Sequence, residues 1–285
     1  AYNERYFIGE LLRRCLDVPL PEDMDREIIV VDDGSSDGTR DILVAFHNEY
    51  PEIIKNLFQE RNQGKGAAIR RAIDAATGDF CIFQDADLEY DPRDYHALLL
   101  PLLEGVADVV YGSRFLYRER RRVLYYRHSL GNRFLTFLSN LFTDLYLTDM
   151  ETCYKAFRTQ LLKTIPIRSN DFGLEPELTA KIAKRGFRVY ETPIRYDGRT
   201  YAEGKKITWR DGFKALYTIV KYWLIDDCYQ EREGHDVLES FSRAHRFNKW
   251  MAETIKPYIG DQVLEIGSGI GNLTRELLPR ESFVA

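Results

Sequence analysis

No run of about 18 or more apolar residues occurs in this chain, so nothing in it reads as a bilayer-spanning helix. Cysteine is scarce. Cys15, Cys81, Cys153 and Cys228 are scattered, with neither paired nor zinc-ligand spacing, which points to free thiols in a reducing cytosol and away from a disulfide or zinc scaffold. Positive charge is not in excess either. The 40 Lys and Arg stand against 45 Asp and Glu, for a formal net charge of −5, which argues against general nucleic-acid binding. With 44% hydrophobic residues among 285, the chain can still bury a full core.

What is present is a set of acidic strand ends. The apolar run Phe80-Cys-Ile-Phe-Gln84 stops at Asp85-Ala-Asp87. Two carboxylates one residue apart at the lip of a sheet suit a hard divalent cation, because Mg²⁺ or Mn²⁺ takes few protein carboxylates and shares phosphate oxygens. Upstream, the β-branched run Ile28–Val31 reads as a strand buried on both faces. It ends at Asp32-Asp33-Gly34, where Ser35 or Ser36 is placed to cap the next helix. Gly64-Lys65-Gly66 then opens an alanine-rich helix. The alternation is that of a doubly wound α/β domain, whose ligands sit at the carboxyl ends of strands. One cleft would therefore gather Asp33, Lys65, Asp85 and Asp87.

Several longer stretches carry a resemblance. They are Ala1-Tyr-Asn-Glu4, Val31-Asp-Asp-Gly-Ser-Ser-Asp-Gly-Thr39, Gly64-Lys-Gly-Ala-Ala68 and Gln84-Asp-Ala-Asp-Leu-Glu-Tyr-Asp-Pro92, followed by Tyr111-Gly-Ser-Arg114, Asp149-Met-Glu-Thr-Cys-Tyr-Lys-Ala-Phe157, Phe172-Gly-Leu-Glu-Pro-Glu177 and Glu191-Thr-Pro-Ile-Arg-Tyr196. Together they resemble the inverting family 2 glycosyltransferases of the GT-A fold, within them the polyprenyl-phosphate branch typified by dolichyl-phosphate mannose synthase. The resemblance implies a mixed sheet flanked by helices, Mg²⁺ or Mn²⁺ as cofactor, a nucleotide-sugar donor such as GDP-mannose or UDP-glucose, and transfer of mannose or glucose at the cytoplasmic membrane face. It also implies roles. Tyr2, Glu4 and Asp33 would hold the nucleoside, Lys65 would lie near the base or diphosphate, and Asp85 and Asp87, with Glu89, would bind the metal. Arg114, Arg127, Arg199 and Lys205 would face the acceptor phosphate. Asp149 and Glu175 match acidic positions whose roles vary.

Chemistry separates two acceptors. A hydroxyl needs a carboxylate base, for which Asp149 and Glu175 are available, although either could instead orient arginines. A lipid phosphate is already ionised and calls for guanidinium groups that match its geometry. Arg114, Arg118 to Arg122, Arg127, Arg133 and Arg199 favour the phosphate. Apolar residues at helical spacing over Asn132–Tyr146 and Gly212–Ile225 suit either packing on the sheet or contact with a membrane surface.

The character changes near Asp226–Asp236, a polar stretch. Residues 1–228 are expected to form the glycosyltransferase domain, lacking the family's first strand before Ala1, and 229–240 a linker. Residues 241–285 would then begin another domain. There Leu264-Glu-Ile-Gly-Ser-Gly-Ile-Gly271 resembles motif I of class I S-adenosylmethionine-dependent methyltransferases, in which Glu265, Gly267, Gly269 and Gly271 would line the cofactor. A fold of that class needs roughly 150 residues, so S-adenosylmethionine is expected to bind only a longer parent protein.

Overall fold

β-Branched and apolar residues build the strand nearest the site. In the computed structural model, which describes residues 1–21, 24–117, 122–123, 125–199, 209–228, 242–260, 262–264, 271–277 and 282–284, strand β1 is Ile28–Asp32. Helix α1, Ile8–Asp17, precedes it. Ile8, Leu11, Leu12 and Cys15 pack in one buried cluster with Val30, the i, i+3, i+4, i+7 spacing of an apolar helix stripe. Neither Ser35 nor Ser36 caps helix α2, Thr39–Glu49, whose N-cap is Gly38. Asp37 does that work, accepting from the Thr39 N–H at 3.0 Å and its hydroxyl at 2.6 Å, while Ser35 Oγ accepts the Asn3 N–H at 2.9 Å.

Strand β2, Ile54–Phe58, runs parallel to β1. Helix α3, Lys65–Ala75, leads into β3, Phe80–Ile82. Beyond it come α4 (Tyr95–Leu103), β4 (Val109–Ser113), α5 (Tyr126–Thr143), β5 (Lys155–Arg158), α6 (Thr159–Lys163), α7 (Leu174–Lys184), β6 (Val189–Pro193) and α8 (Trp209–Leu224). The strands form a parallel β1–β2 pair and a four-stranded sheet in the order β3-β5-β4-β6. Strand β5 is antiparallel to both neighbours, and β6 is parallel to β4. The doubly wound alternation thus passes into a mixed sheet.

Val109, Tyr111, Met150, Phe157, Leu178 and Ile219 join the largest buried cluster. Each such side chain contributes roughly 1.5–3 kcal/mol by leaving water. Helices α5 and α8 lie over this core with two unlike faces. Leu135, Leu138 and Phe142 point in, and Phe142 stacks on Trp223 at 4.8 Å. Phe134, Phe137 and Leu141 of α5, with Phe213 and Tyr217 of α8, are each more than half exposed. Among the described residues no helix is long and apolar enough to cross a membrane.

Strands β1 and β3 are not hydrogen-bonded to each other, and a cavity of about 2060 Å³ runs between them. Its lining is apolar at Leu11, Val30, Ala72 and Phe80 and ionic at Lys65, Asp85, Asp87, Arg114, Glu175 and Arg199.

The chain divides into two compact units, Ala1–Cys228 and Tyr229–Ala285. In the second, helix α9 (His245–Ile255) precedes β7 (Gln262–Leu264), α10 (Asn272–Leu277) and β8 (Ser282–Val284). Strands β7 and β8 are parallel. Gly271 has φ +74°, whereas Glu265, Gly267 and Gly269 lie outside the described residues, as do 229–240.

Candidate active site

Two glycines place Lys65. Gly64 sits at φ +96°, a conformation L side chains rarely adopt, and a Cβ at Gly64 or Gly66 would collide with the backbone of Asn170 or Ser169. The chain is pinned there by the Gly66 N–H, which donates to Asn170 O at 2.8 Å. Lys65 consequently points inward and its ammonium bridges two carboxylates, Asp85 at 3.0 Å and Glu175 at 2.9 Å. Burial opposes the Lys65 charge, yet Asp85 and Glu175 more than offset it and hold the ammonium above the usual lysine range. Burial likewise pushes the Asp85 carboxyl up, and Lys65 outweighs it.

Asp87 has different neighbours. Arg199 donates through Nη2 to Asp87 at 2.7 Å, and its Nε lies 3.2 Å from Glu89. Its Nη1 approaches Glu4 at 3.6 Å. Glu89 is occupied elsewhere as well, accepting the Tyr196 hydroxyl at 2.6 Å and the Arg199 N–H at 2.9 Å. Burial, then the charges of Asp85 and Glu89, push Asp87 up to about 7, and Arg199 counters this only in part. Such a carboxylate has too little positive charge around it.

Among the described residues no three His, Cys, Asp or Glu side chains converge as a ready-made metal cage. Asp85 and Asp87 still fit a hard divalent cation, because one is ionised and the other is short of positive charge. Mg²⁺ and Mn²⁺ habitually complete their shell with phosphate oxygens. Glu89, bound to Tyr196 and Arg199, is not disposed as a third ligand.

Arg114 is held by Asp149. Its Nε and Nη2 donate to the two Asp149 oxygens at 2.6 and 2.7 Å, and its backbone N–H donates at 3.0 Å. Asn132 Nδ2 adds a fourth bond at 2.9 Å. Burial opposes the Asp149 charge, Arg114 outweighs it, and the carboxyl stays below its ordinary value. With both oxygens engaged and the side chain fully buried, Asp149 orients the guanidinium, one of the two roles its position allowed. Arg114 also lies over the Tyr196 ring, 5.0 Å from its centroid.

The remaining expected residues divide. Tyr2 and Glu4 line the cavity, as does Arg127 from the first turn of α5. Asp33 lines it too, but its carboxylate braces the loop before Lys65, accepting from Gln63 N at 2.7 Å, Gly64 N at 2.8 Å and Gln59 Nε2 at 2.7 Å. Lys205 and Arg118 to Arg121 lie outside the described residues.

Sequence reasoning assigned no role to Gln84, Glu151 or Lys155. Gln84 accepts hydroxyls from Tyr95 at 2.8 Å and Tyr154 at 2.6 Å, fixing the residue just before the acidic pair. Glu151 lines the cavity, and Lys155 is buried behind it, donating to Met150 O at 3.1 Å. All three fall inside the quoted motifs, where an ionisable or amide group in an otherwise apolar stretch was the available signal.

Comparisons with known proteins bear on the family and the fold. The chain is 29% identical over 205 residues to the glycosyltransferase AglD of Haloferax volcanii, covering 69% of this chain and 32% of that protein. It is 27% identical over 205 residues to the undecaprenyl-phosphate 4-deoxy-4-formamido-L-arabinose transferase of Salmonella choleraesuis, covering 72% and 60%. The chain thus spans about a third and three fifths of those two relatives. An uncharacterized protein of Methanocaldococcus jannaschii is 27% identical over 77% of this chain and 88% of its own length. Among solved structures, glucosyl-3-phosphoglycerate synthase of Mycobacterium tuberculosis bound to UDP superposes with a TM-score of 0.61 at 21% identity, covering 80% of this chain and 79% of that one. The same enzyme has been crystallised with Mn²⁺, UDP-glucose and phosphoglyceric acid, at a TM-score of 0.59. These structures share the GT-A mixed α/β fold. The glycosyl transferase family 2 pattern matches residues 1–165, more than half of the chain, and the chain belongs to that family.

Proposed function

We propose that the first unit moves a hexose, mannose or glucose, from a nucleotide-sugar to a polyprenyl phosphate at a membrane surface on the cytoplasmic side. One observation carries this reading. Arg127 and Asn132 of α5 and Lys214 of α8 line the cavity, and the same two helices turn Phe134, Phe137, Leu141, Phe213 and Tyr217 outward. An apolar surface beside a polar mouth is what a lipid tail with a phosphate head requires. The relative named for an undecaprenyl-phosphate acceptor supports the same class.

In this reading Tyr2, Glu4 and Asp33 hold the nucleoside, and Asp85 and Asp87 hold a divalent cation that offsets charge on the departing diphosphate. Lys65 adds a second positive charge through its contact with Asp85. Arg114, Arg127 and Arg199, with Lys205, receive the acceptor phosphate. That phosphate attacks without a base, so the protein's remaining task is alignment. Transfer to a sugar hydroxyl is the second reading, favoured only by Glu151 and Glu175, the carboxylates inside the cavity that carry buried oxygens without protein partners.

The test offers radiolabelled UDP-glucose or GDP-mannose together with a polyprenyl phosphate and Mn²⁺. Label is expected in the organic extract. Label confined to water-soluble or polymeric product would instead select the hydroxyl reading. For the second unit, the parallel β7–α10–β8 order supports reading it as the opening of an S-adenosylmethionine-binding domain. Equilibrium dialysis of the cofactor against a longer parent protein would check this, and absence of binding there removes it.

A further inference from the structure

Two carboxylates that line the cavity each have an oxygen that no protein group satisfies. Glu175, in the first turn of α7, is 5% exposed. One of its oxygens meets Lys65 at 2.9 Å, and the other, Oε2, is buried without a hydrogen-bond partner. Glu151 also lines the cavity, and its Oε1 is buried and equally without a partner. Orphaned buried oxygens cost about 1–3 kcal/mol each, so a fold that keeps two beside one cavity retains them for something that enters it.

Their order along the ion-pair chain says what enters. In the proposed function Asp85 stands at the diphosphate end, Lys65 bridges Asp85 to Glu175, and Glu151 lines the same cavity, where the like charge of Glu175 acts on it more than that of any other residue. In a nucleotide-sugar the diphosphate joins a nucleoside to a sugar, and with Tyr2, Glu4 and Asp33 assigned to the nucleoside the group left for Glu151 and Glu175 is the sugar. Sugar hydroxyls donate to carboxylate oxygens and accept from a protonated carboxyl.

We infer that Glu151 and Glu175 form the recognition site for hydroxyls of the transferred sugar, with Glu151 as a specificity-determining residue; this rests on the glycosyltransferase reading above. Burial, then the neighbouring Glu175, push the Glu151 carboxyl up to about 8, against Lys155 and Arg114, which pull it down, and Asp149, which adds to the rise. At neutral pH Glu151 is therefore an uncharged acid that both donates and accepts. That combination reads a hydroxyl's position and not its charge.

Calorimetry on the full chain with Mn²⁺ tests this, using UDP, UDP-glucose, GDP and GDP-mannose as probes. The quantity read is the ratio of nucleotide-sugar affinity to that of the matching nucleoside diphosphate. Glu151→Ala is expected to shift this ratio about tenfold or more against the sugar, the loss of a hydrogen bond to a buried polar group, with nucleoside diphosphate affinity unchanged. Glu151→Gln, which can also donate and accept, is expected to keep most of the ratio. Glu151→Asp, one methylene shorter, provides the readout should the alanine variant fail to fold, and is expected to lose it. A ratio unmoved in Glu151→Ala, or in Glu151→Asp where alanine does not fold, overturns the inference while leaving the glycosyltransferase reading intact. Lost turnover with an unmoved ratio does the same, and assigns Glu151 to the chemistry. A wild-type chain that binds no nucleoside diphosphate at all overturns both.

Discussion

Replacing Asp87 with alanine is expected to lower sugar transfer by about two to three orders of magnitude while the protein stays folded. The residue lies in the loop beyond β3, and Arg199, which loses a partner in the variant, keeps Glu89 and Glu4 as counter-charges. Asp87 is held near a pKa of about 7 by burial and by Asp85 and Glu89, and removing it relieves that repulsion. The thermal midpoint should hold or rise slightly. What disappears is a cation ligand. In the wild type a proton competes for the same oxygen, so Mn²⁺ affinity should climb as pH rises through about 7 and fall below it. Asp87→Ala should bind Mn²⁺ weakly and without that pH step. Transfer that persists in the variant, or under exhaustive chelation of the wild type, would sink the assignment of the acidic pair.

Asp149→Ala should act on stability instead. Its side chain is 0% exposed and Arg114 only 13%, so truncation leaves a buried guanidinium without its counter-charge. The Arg114 N–H and Asn132 Nδ2 lose their acceptor as well. Breaking a buried pair from one side costs about 3–5 kcal/mol, more than most single substitutions. Urea unfolding would measure it as a lowered midpoint at unchanged slope. A loss under about 1 kcal/mol would mean the pair is solvated in solution and does not organise Arg114.

These two aspartates mark how far the chain could be read before its fold was known. The acidic pair, the Gly64-Lys65-Gly66 turn and strand β1 were legible because each is local, with its residue types and spacing adjacent in sequence. Helices α5 and α8 announced themselves by periodicity, although α5 starts at Tyr126, well before Asn132, and α8 at Trp209 instead of Gly212. Strand order was not legible. Nothing in Lys155–Arg158 says that this short segment inserts antiparallel between β3 and β4, since order depends on which edges meet in space. Partner choice was equally hidden. Arg199 reaches Asp87 across 112 positions and Glu89 across 110, a pairing that no local pattern announces. Glu151 was passed over because its burial, and the charges of Glu175, Lys155 and Arg114 that act on it, exist only in the folded chain.

The two classes of ion pair differ in how they answer ionic strength. Lys65 with Asp85 and Glu175, and Arg114 with Asp149, sit largely out of solvent, where mobile counter-ions screen little. Lys214–Asp171, Arg122–Asp197 and Arg188–Asp108 each have at least one partner more than half exposed. Added potassium chloride therefore loosens the periphery first and leaves the catalytic interior assembled, so a preparation washed in brine keeps the arrangement that matters.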